Sequence, residues 1–235
     1  MSLEQEKVKK SRPRSVCSIE ENNDNIPQLV RECTGQDKVD GYKCFFKKCR
    51  KVTQIISDSD LVSYGGTVVR IFDRDLNKQI IVKWNRYPNS ELHLNEIINE
   101  IKIQKFIFNM DPSIVPKIYE VYKYSLEKGI YIYILMEDLE AEGFESYDKI
   151  VKNTDKWSWK KIKNSVRGLV LLSLKKLHKC NIAHKDLHMK NIFINLEKNL
   201  VKFIDFGHSE QVPNSSIAEN IDFDIIENGI KELKN

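Results

Sequence analysis

The reading of the fold turns on His184-Lys185-Asp186-Leu187-His188-Met189-Lys190-Asn191, with Ile204-Asp205-Phe206-Gly207 close behind it. Each piece sets a carboxylate beside a carboxamide or a glycine turn, inside otherwise apolar runs. Ile192-Phe193-Ile194 follows the first piece and Val201-Lys202-Phe203-Ile204 leads into the second, which predicts a β-hairpin between them. Such a hairpin would aim Asp186, Asn191 and Asp205 into one small volume. Three oxygen-bearing side chains of this kind suit a hard cation and a proton acceptor, and phosphoryl transfer requires both.

Working outward, the stretch from Leu61 to Trp84 has a strand pattern. Thr67 to Phe72 and Gln79 to Trp84 are β-branched and aromatic runs on either side of a polar turn, and Ser63-Tyr64-Gly65-Gly66 is a flexible approach to the first. Lys83 stands in the middle of the second run, where a charge needs a partner. The next element supplies candidates. Leu94, Ile97, Ile98, Ile101 and Phe106 recur at helical spacing between Glu91 and Asn109, with Glu96 and Glu100 as the acids in the middle. Either could meet Lys83. Asp111-Pro112 and Pro116 close that helix, and Ile118 to Tyr124 and Ile130 to Met136 read as two strands. The second is nearly continuous in Ile and Tyr, as expected of a strand buried on both faces. From Trp157 to Lys179 an apolar stripe predicts an amphipathic helix that leads into the central motif. The order of elements implies two lobes with a cleft between them near residue 138.

Composition narrows the class. In 235 residues, 41% hydrophobic and 31% charged, there is material for one globular unit or two small lobes. A net charge of +4 would help attract anionic ligands but carries no strong nucleic-acid signal. No apolar run is long enough for a membrane span, and Met1 to Lys10 lacks the apolar core of a secretory signal, so the expectation is an intracellular, cytoplasmic protein. Cys17, Cys33, Cys44, Cys49 and Cys180 are scattered and odd in number, which argues for free thiols; no fourth ligand follows Cys33, Cys44 and Cys49 at zinc spacing. Residues 1–40 are polar and are expected to be a mobile segment, with the basic cluster Lys9-Lys10-Ser11-Arg12-Pro13-Arg14 inside it.

Taken together, these residues resemble the eukaryotic-type protein kinase superfamily over roughly residues 52 to 210. His184-Lys185-Asp186 with Asn191 is similar to the catalytic loop H-R-D-x-x-x-x-N, with Lys in place of Arg. Asp205-Phe206-Gly207 matches the D-F-G tripeptide, and Val82-Lys83 resembles the strand that carries the nucleotide-binding lysine. The resemblance implies an α+β, two-lobed protein-kinase-like fold over residues 41–235, with a β-rich N-lobe at about 52–137 and a shortened helical C-lobe at about 140–235. It also implies ATP and Mg²⁺ as cofactors and a protein as substrate. By position, Lys83 would hold the α- and β-phosphates, steadied by Glu100, with Glu96 as the alternative. Asp186 would orient the attacking hydroxyl and accept its proton, and Asn191 and Asp205 would hold the metal. Met136 would guard the pocket behind the adenine, Glu137 and Leu139 would bind adenine through their backbones, and Gly65, Gly66 and Val68 would cover the nucleotide.

The pattern also departs from the family. With Val68 fifteen residues before Lys83, Gly66 takes the third position of G-x-G-x-x-G, and Leu61 and Ser63 take the first two. His188 stands where Ser/Thr kinases usually carry Lys; Asp-Leu-His here is similar to haspin-like kinases and to small-molecule kinases of the aminoglycoside and choline type. Only 28 residues follow Gly207, without an Ala-Pro-Glu stretch. That shortening resembles RIO kinases and the atypical kinase of the KEOPS complex, and implies a protein partner completing the C-lobe. Ile221 to Ile226 reads as one remaining helix, from which Asp222 would reach back to the catalytic loop. Large DNA viruses encode reduced kinases, and the Ile-, Asn- and Lys-heavy composition fits an AT-rich viral or parasite genome. The expected function is transfer of the γ-phosphate of ATP to Ser/Thr hydroxyls of proteins. The alternatives are a pseudokinase acting as a scaffold, suggested by the poor glycine loop, and a small-molecule kinase, suggested by His188.

Overall fold

The computed structural model describes residues 30–32, 52–57, 62–63, 66–73, 76–87, 91–126 and 129–231. Gly65, the basic cluster near the N-terminus, and Cys17, Cys33, Cys44 and Cys49 lie outside the described residues. The upper lobe is one seven-stranded sheet built from β1 (Val30–Glu32), β2 (Val52–Ser57), β3 (Val62–Ser63), β4 (Gly66–Asp73), β5 (Lys78–Tyr87), β6 (Ile118–Leu126) and β7 (Gly129–Glu137). Its order is β1-β6-β7-β5-β4-β2, with β3 paired to β4. The expected strands are present, each extended by a residue or more. Residues 30–32, inside the stretch expected to be mobile, pair in parallel with β6 and cover what would otherwise be its bare edge.

Alternation along β4 and β5 sends Val69, Ile71, Ile80 and Val82 to one face, where they pack with Tyr122, Tyr133 and Leu135. The other face carries Ile134 and Met136 beneath the helix α1 (Glu91–Met110), whose Ile97 and Ile101 close the packing. Because both faces of β7 are covered, Ile132, Tyr133, Ile134 and Leu135 are all buried, which accounts for the unbroken apolar run. Each such side chain contributes about 1.5–3 kcal/mol of transfer free energy. Further along α1, Ile103 and Ile107 belong to a different core, that of the lower lobe. One helix therefore serves both lobes, and its middle, at Glu100, falls between them.

The lower lobe consists of β8 (Glu145–Ser146), α2 (Tyr147–Asn153), α3 (Lys156–Lys179), β9 (Ile182–Ala183), a 3₁₀ turn (Met189–Asn191), β10 (Ile192–Asn195), β11 (Leu200–Phe203), β12 (Glu210–Gln211) and α4 (Ser215–Lys231). The predicted hairpin is β10–β11, in register from Ile192↔Phe203 to Asn195↔Leu200. Val166, Val170, Leu174 and Leu177 form the buried stripe of α3 against Phe203 and Phe206. The helix expected over Ile221 to Ile226 is much longer, Ser215–Lys231, and residues 208–214 alone connect it to Asp205-Phe206-Gly207. Among the described residues, no helix is long and apolar enough to cross a membrane.

Gly168 lies on the exposed side of α3, and a Cβ added there would meet no atom within 4 Å. Gly168→Ala is expected to raise the stability of the fold by roughly 0.5–1 kcal/mol, the conformational cost of glycine inside a helix. Urea unfolding should show a higher midpoint with an unchanged slope.

Candidate active site

Lys83 stands at the centre of β5, on the face opposite Val82. Its ammonium is buried, and it donates to both carboxylate oxygens of Glu100, at 2.8 and 2.9 Å, and to Asp205 Oδ1 at 3.1 Å. Glu100 is 4% exposed whereas Glu96 is exposed, so the choice between the two acids falls on Glu100. Burial opposes the charge on Lys83, but Glu100 and Asp205 outweigh it and hold the ammonium above its ordinary value. Burial raises the Glu100 carboxyl, and Lys83 opposes that rise. Val68 pairs directly with Lys83 across β4 and β5, and Gly66 pairs with Ser63 at the start of the same strand.

The loop after β9 is shaped by Asp222, which α4 delivers to it fully buried. Asp222 Oδ2 accepts the His184 backbone N–H at 2.8 Å and lies 3.0 Å from His178 Nε2; Oδ1 accepts the Lys185 N–H at 2.9 Å. Lys185 has φ 67 and Asp205 has φ 68, left-handed conformations that cost a non-glycine residue about 1 kcal/mol or more. The bonds from Asp222 hold the first. The reach of Asp222 to this loop was an expectation of the sequence.

His184 is wholly buried and lies 4.7 Å, ring to ring, from Phe206. Its Nε2 donates to the Ile204 carbonyl at 3.0 Å, while Nδ1 accepts from the Asp186 N–H at 3.4 Å. Those two partners specify the neutral tautomer protonated at Nε2. Asn191 Nδ2 donates to the backbone oxygen of Asp186 at 3.0 Å and to its Oδ2 at 3.2 Å, and the Asn191 carbonyl receives the Ile204 N–H at 3.0 Å. The central motif and the second piece are therefore directly bonded. With the nitrogen end of Asn191 committed to Asp186, its Oδ1 is the end with ligand chemistry, and Asp205 supplies carboxylate oxygens. Among the described residues, no group of three His, Cys, Asp or Glu side chains could hold a metal by itself. An amide and a carboxylate instead suit Mg²⁺, which is commonly held by one or two protein oxygens together with phosphate oxygens and water.

Past Gly207 the chain is tied down at short intervals. Ser209 Oγ donates to the His184 carbonyl at 2.9 Å, and Asn99 Nδ2, next to Glu100 on α1, donates to the Ser209 carbonyl at 2.7 Å. At the junction of the lobes, Met136 and Leu139 are buried. Glu137 Oε2 accepts from Lys202 Nζ at 2.7 Å and from the Lys117 N–H at 3.0 Å. Lys202, Asn99 and Arg70, which bonds Asp138 and Glu140, were missed in the sequence. The signal for Lys202 was present: like Lys83, it is a lysine inside an apolar strand.

A model of the protein kinase domain matches residues 64–223. The chain is 30% identical over 173 residues to serine/threonine-protein kinase pakG of Dictyostelium discoideum, covering 73% of this chain and 13% of that protein. It is 30% identical over 141 residues to a probable serine/threonine-protein kinase of the same organism, covering 60% of this chain and 18% of the relative. It is 24% identical over 226 residues to calcium-dependent protein kinase 5 of Plasmodium falciparum, covering 93% of this chain and 38% of the relative. The chain thus spans well under half the length of these relatives.

Burial drives the pKa of His184 down, so the folded protein resists protonating it while the unfolded chain takes the proton near the usual value of about 6.5. The stabilisation is fully present above about pH 6.5 and is lost as pH falls below that value toward the depressed folded pKa. The urea midpoint of the wild type is expected to fall between pH 7.5 and 5.5, and His184→Gln to flatten that dependence. An unchanged slope in the variant would assign the effect to another group.

Proposed function

The chain belongs to the protein kinase family, and from that premise we propose that it transfers the γ-phosphate of ATP to Ser or Thr hydroxyls of protein substrates. The observation that carries this reading is the bonding of Lys83 to Glu100 and Asp205 together. An ammonium fixed by two carboxylates where the two lobes meet is a preset site for phosphate oxygens. In this reading Lys83 binds the α- and β-phosphates, and Glu100 keeps its side chain from swinging away. Asn191 Oδ1 and Asp205 hold Mg²⁺, which when bound offsets the charge on the phosphate oxygens. Asp186, oriented by Asn191, receives the acceptor hydroxyl and takes its proton. Backbone groups of Glu137 and Leu139 meet the adenine edge, with Met136 behind it and Val68 and Gly66 above. Most of the rate gain comes from this placement, because phosphoryl transfer demands little covalent chemistry of the protein.

Retention of Lys83, Glu100, Asp186, Asn191 and Asp205 in bonded order supports an enzyme over a scaffold. The test is transfer of labelled γ-phosphate from Mg²⁺-ATP to a generic basic protein, with acceptor residues identified by mass spectrometry. Asp186→Asn is expected to lower kcat by about 10²- to 10⁴-fold, the usual contribution of a positioned base. Thermal stabilisation by Mg²⁺-ATP should persist in that variant, since Asp186 is assigned to the acceptor. Equal transfer by wild type and variant, or none by either, would overturn the proposal. ATP stabilisation without transfer would favour a nucleotide-binding scaffold, and transfer to small hydroxylated compounds alone would favour a small-molecule kinase.

A further inference from the structure

Arg70 does not belong to the set of side chains assigned to phosphate, metal or acceptor, yet it is bonded to the segment that joins the lobes. Val69 and Ile71 on either side of it are buried in the cluster with Ile80 and Val82. Strand alternation therefore sends Arg70 to the opposite face, the face of Val68 and Lys83. It pairs with Ile81, which pairs with Met136, so Arg70 stands in the cross-strand row at the mouth of the segment.

From there its guanidinium reaches downward. Arg70 Nε donates to Asp138 Oδ2, and Nη2 donates to Asp138 Oδ1 at 3.1 Å and to Glu140 Oε2 at 2.8 Å. Asp138 is 2% exposed, and its Oδ1 also accepts the N–H groups of Glu140 and Ala141 at 3.2 and 3.3 Å. Glu140 Oε1 lies 3.5 Å from Lys149 Nζ on α2. With Glu137 held by Lys202 and Lys117, the carboxylates at 137, 138 and 140 are all bonded to elements outside the segment, and Arg70 joins the last two. The peptides between them cannot turn without breaking charge-assisted bonds, which are stronger than neutral ones.

We propose that Arg70 is a positioning residue for nucleotide binding: by gripping Asp138 and Glu140 it presets the backbone of Glu137 and Leu139, so that adenine meets an edge already in place. This rests on the reading of the site given above, in which Glu137 and Leu139 flank Asp138 and face adenine. A backbone fixed before binding loses no freedom on binding, and affinity gains accordingly. The grip depends on the planar fork of arginine. A lysine would reach one carboxylate as a point charge and leave the other unheld.

The measurement is the Kd for ATP in the presence of Mg²⁺, by calorimetry on the full chain, with KM and kcat beside it. Arg70→Lys is expected to weaken ATP binding about tenfold, the order of one lost charge-assisted bond. The change should appear in KM for ATP, with kcat at saturating ATP falling much less. Glu140→Gln removes a half-exposed carboxylate without stranding a buried charge, and is expected to weaken binding about threefold. It decides the matter if Arg70→Lys does not fold. Variants that melt at lower temperature but keep the wild-type Kd and KM would reduce Arg70 to a structural role and overturn the proposal. A wild type that does not bind ATP would remove the reading of the site, and this proposal with it. Wild-type binding with unaltered variants would remove the proposal alone.

Discussion

An ammonium buried between two carboxylates is the constraint on which the arrangement depends. Lys83 comes from the sheet, Glu100 from α1 and Asp205 from the strand–turn of the lower lobe, so three separately packed elements meet at one nitrogen. None of the three can withdraw alone. Removing one partner of a buried pair typically costs about 3–5 kcal/mol, because the charge left behind has no water to turn to. The packing is arranged to match: α1 contributes Ile97 and Ile101 to the sheet side and Ile103 and Ile107 to the lower core. Apolar burial sets the height of the helix, and the ion pair sets its rotation.

Much of this was legible in the residues. A lysine in an apolar strand demands a counter-charge, and the strand–turn–helix order located where it would come from. Helical spacing alone could not separate Glu96 from Glu100, since residues four apart share a face. What decides is which turn of α1 lies over Lys83, a matter of where the helix begins relative to the sheet. The same logic holds for Lys202, a second buried lysine in an apolar strand, whose counter-charge is Glu137. Arg70 was illegible for another reason. Its partners are 68 and 70 residues away in a connecting segment with no periodicity, and only the register of β4 against β5, and of β5 against β7, brings them into reach. The long α4 was read short because its first turns, Ser215 to Asn220, are mostly polar and hide the apolar period.

Backbone strain and its relief are also distributed across the lobe. Lys185 and Asp205 both hold left-handed conformations without being glycine. Each is bracketed by bonds: Asp222 grips Lys185, and Asp205 is met by Lys83, while Ile204 just before it is bonded to both His184 and Asn191. Unfavourable dihedrals persist only where the surroundings over-determine them. Here those surroundings include the chain past Gly207, where Ser209 joins the His184 carbonyl to the neighbour of Glu100 on α1.

The attachment to Asp222 of the loop from His184 to Asn191 also orders events in time. Asp222 follows His184 by 38 residues, and among the described residues it is the group that accepts the His184 and Lys185 N–H groups. During synthesis, the whole motif from His184 to Asn191 is made before its anchor exists. Since chains acquire structure as they are made, from the N-terminus onward, the upper sheet can assemble while the loop below it still lacks a fixed shape. The fixed shape of the loop therefore arrives late, when α4 docks, and a chain that stops short of Asp222 has the residues of the motif without the bonds that hold them in place.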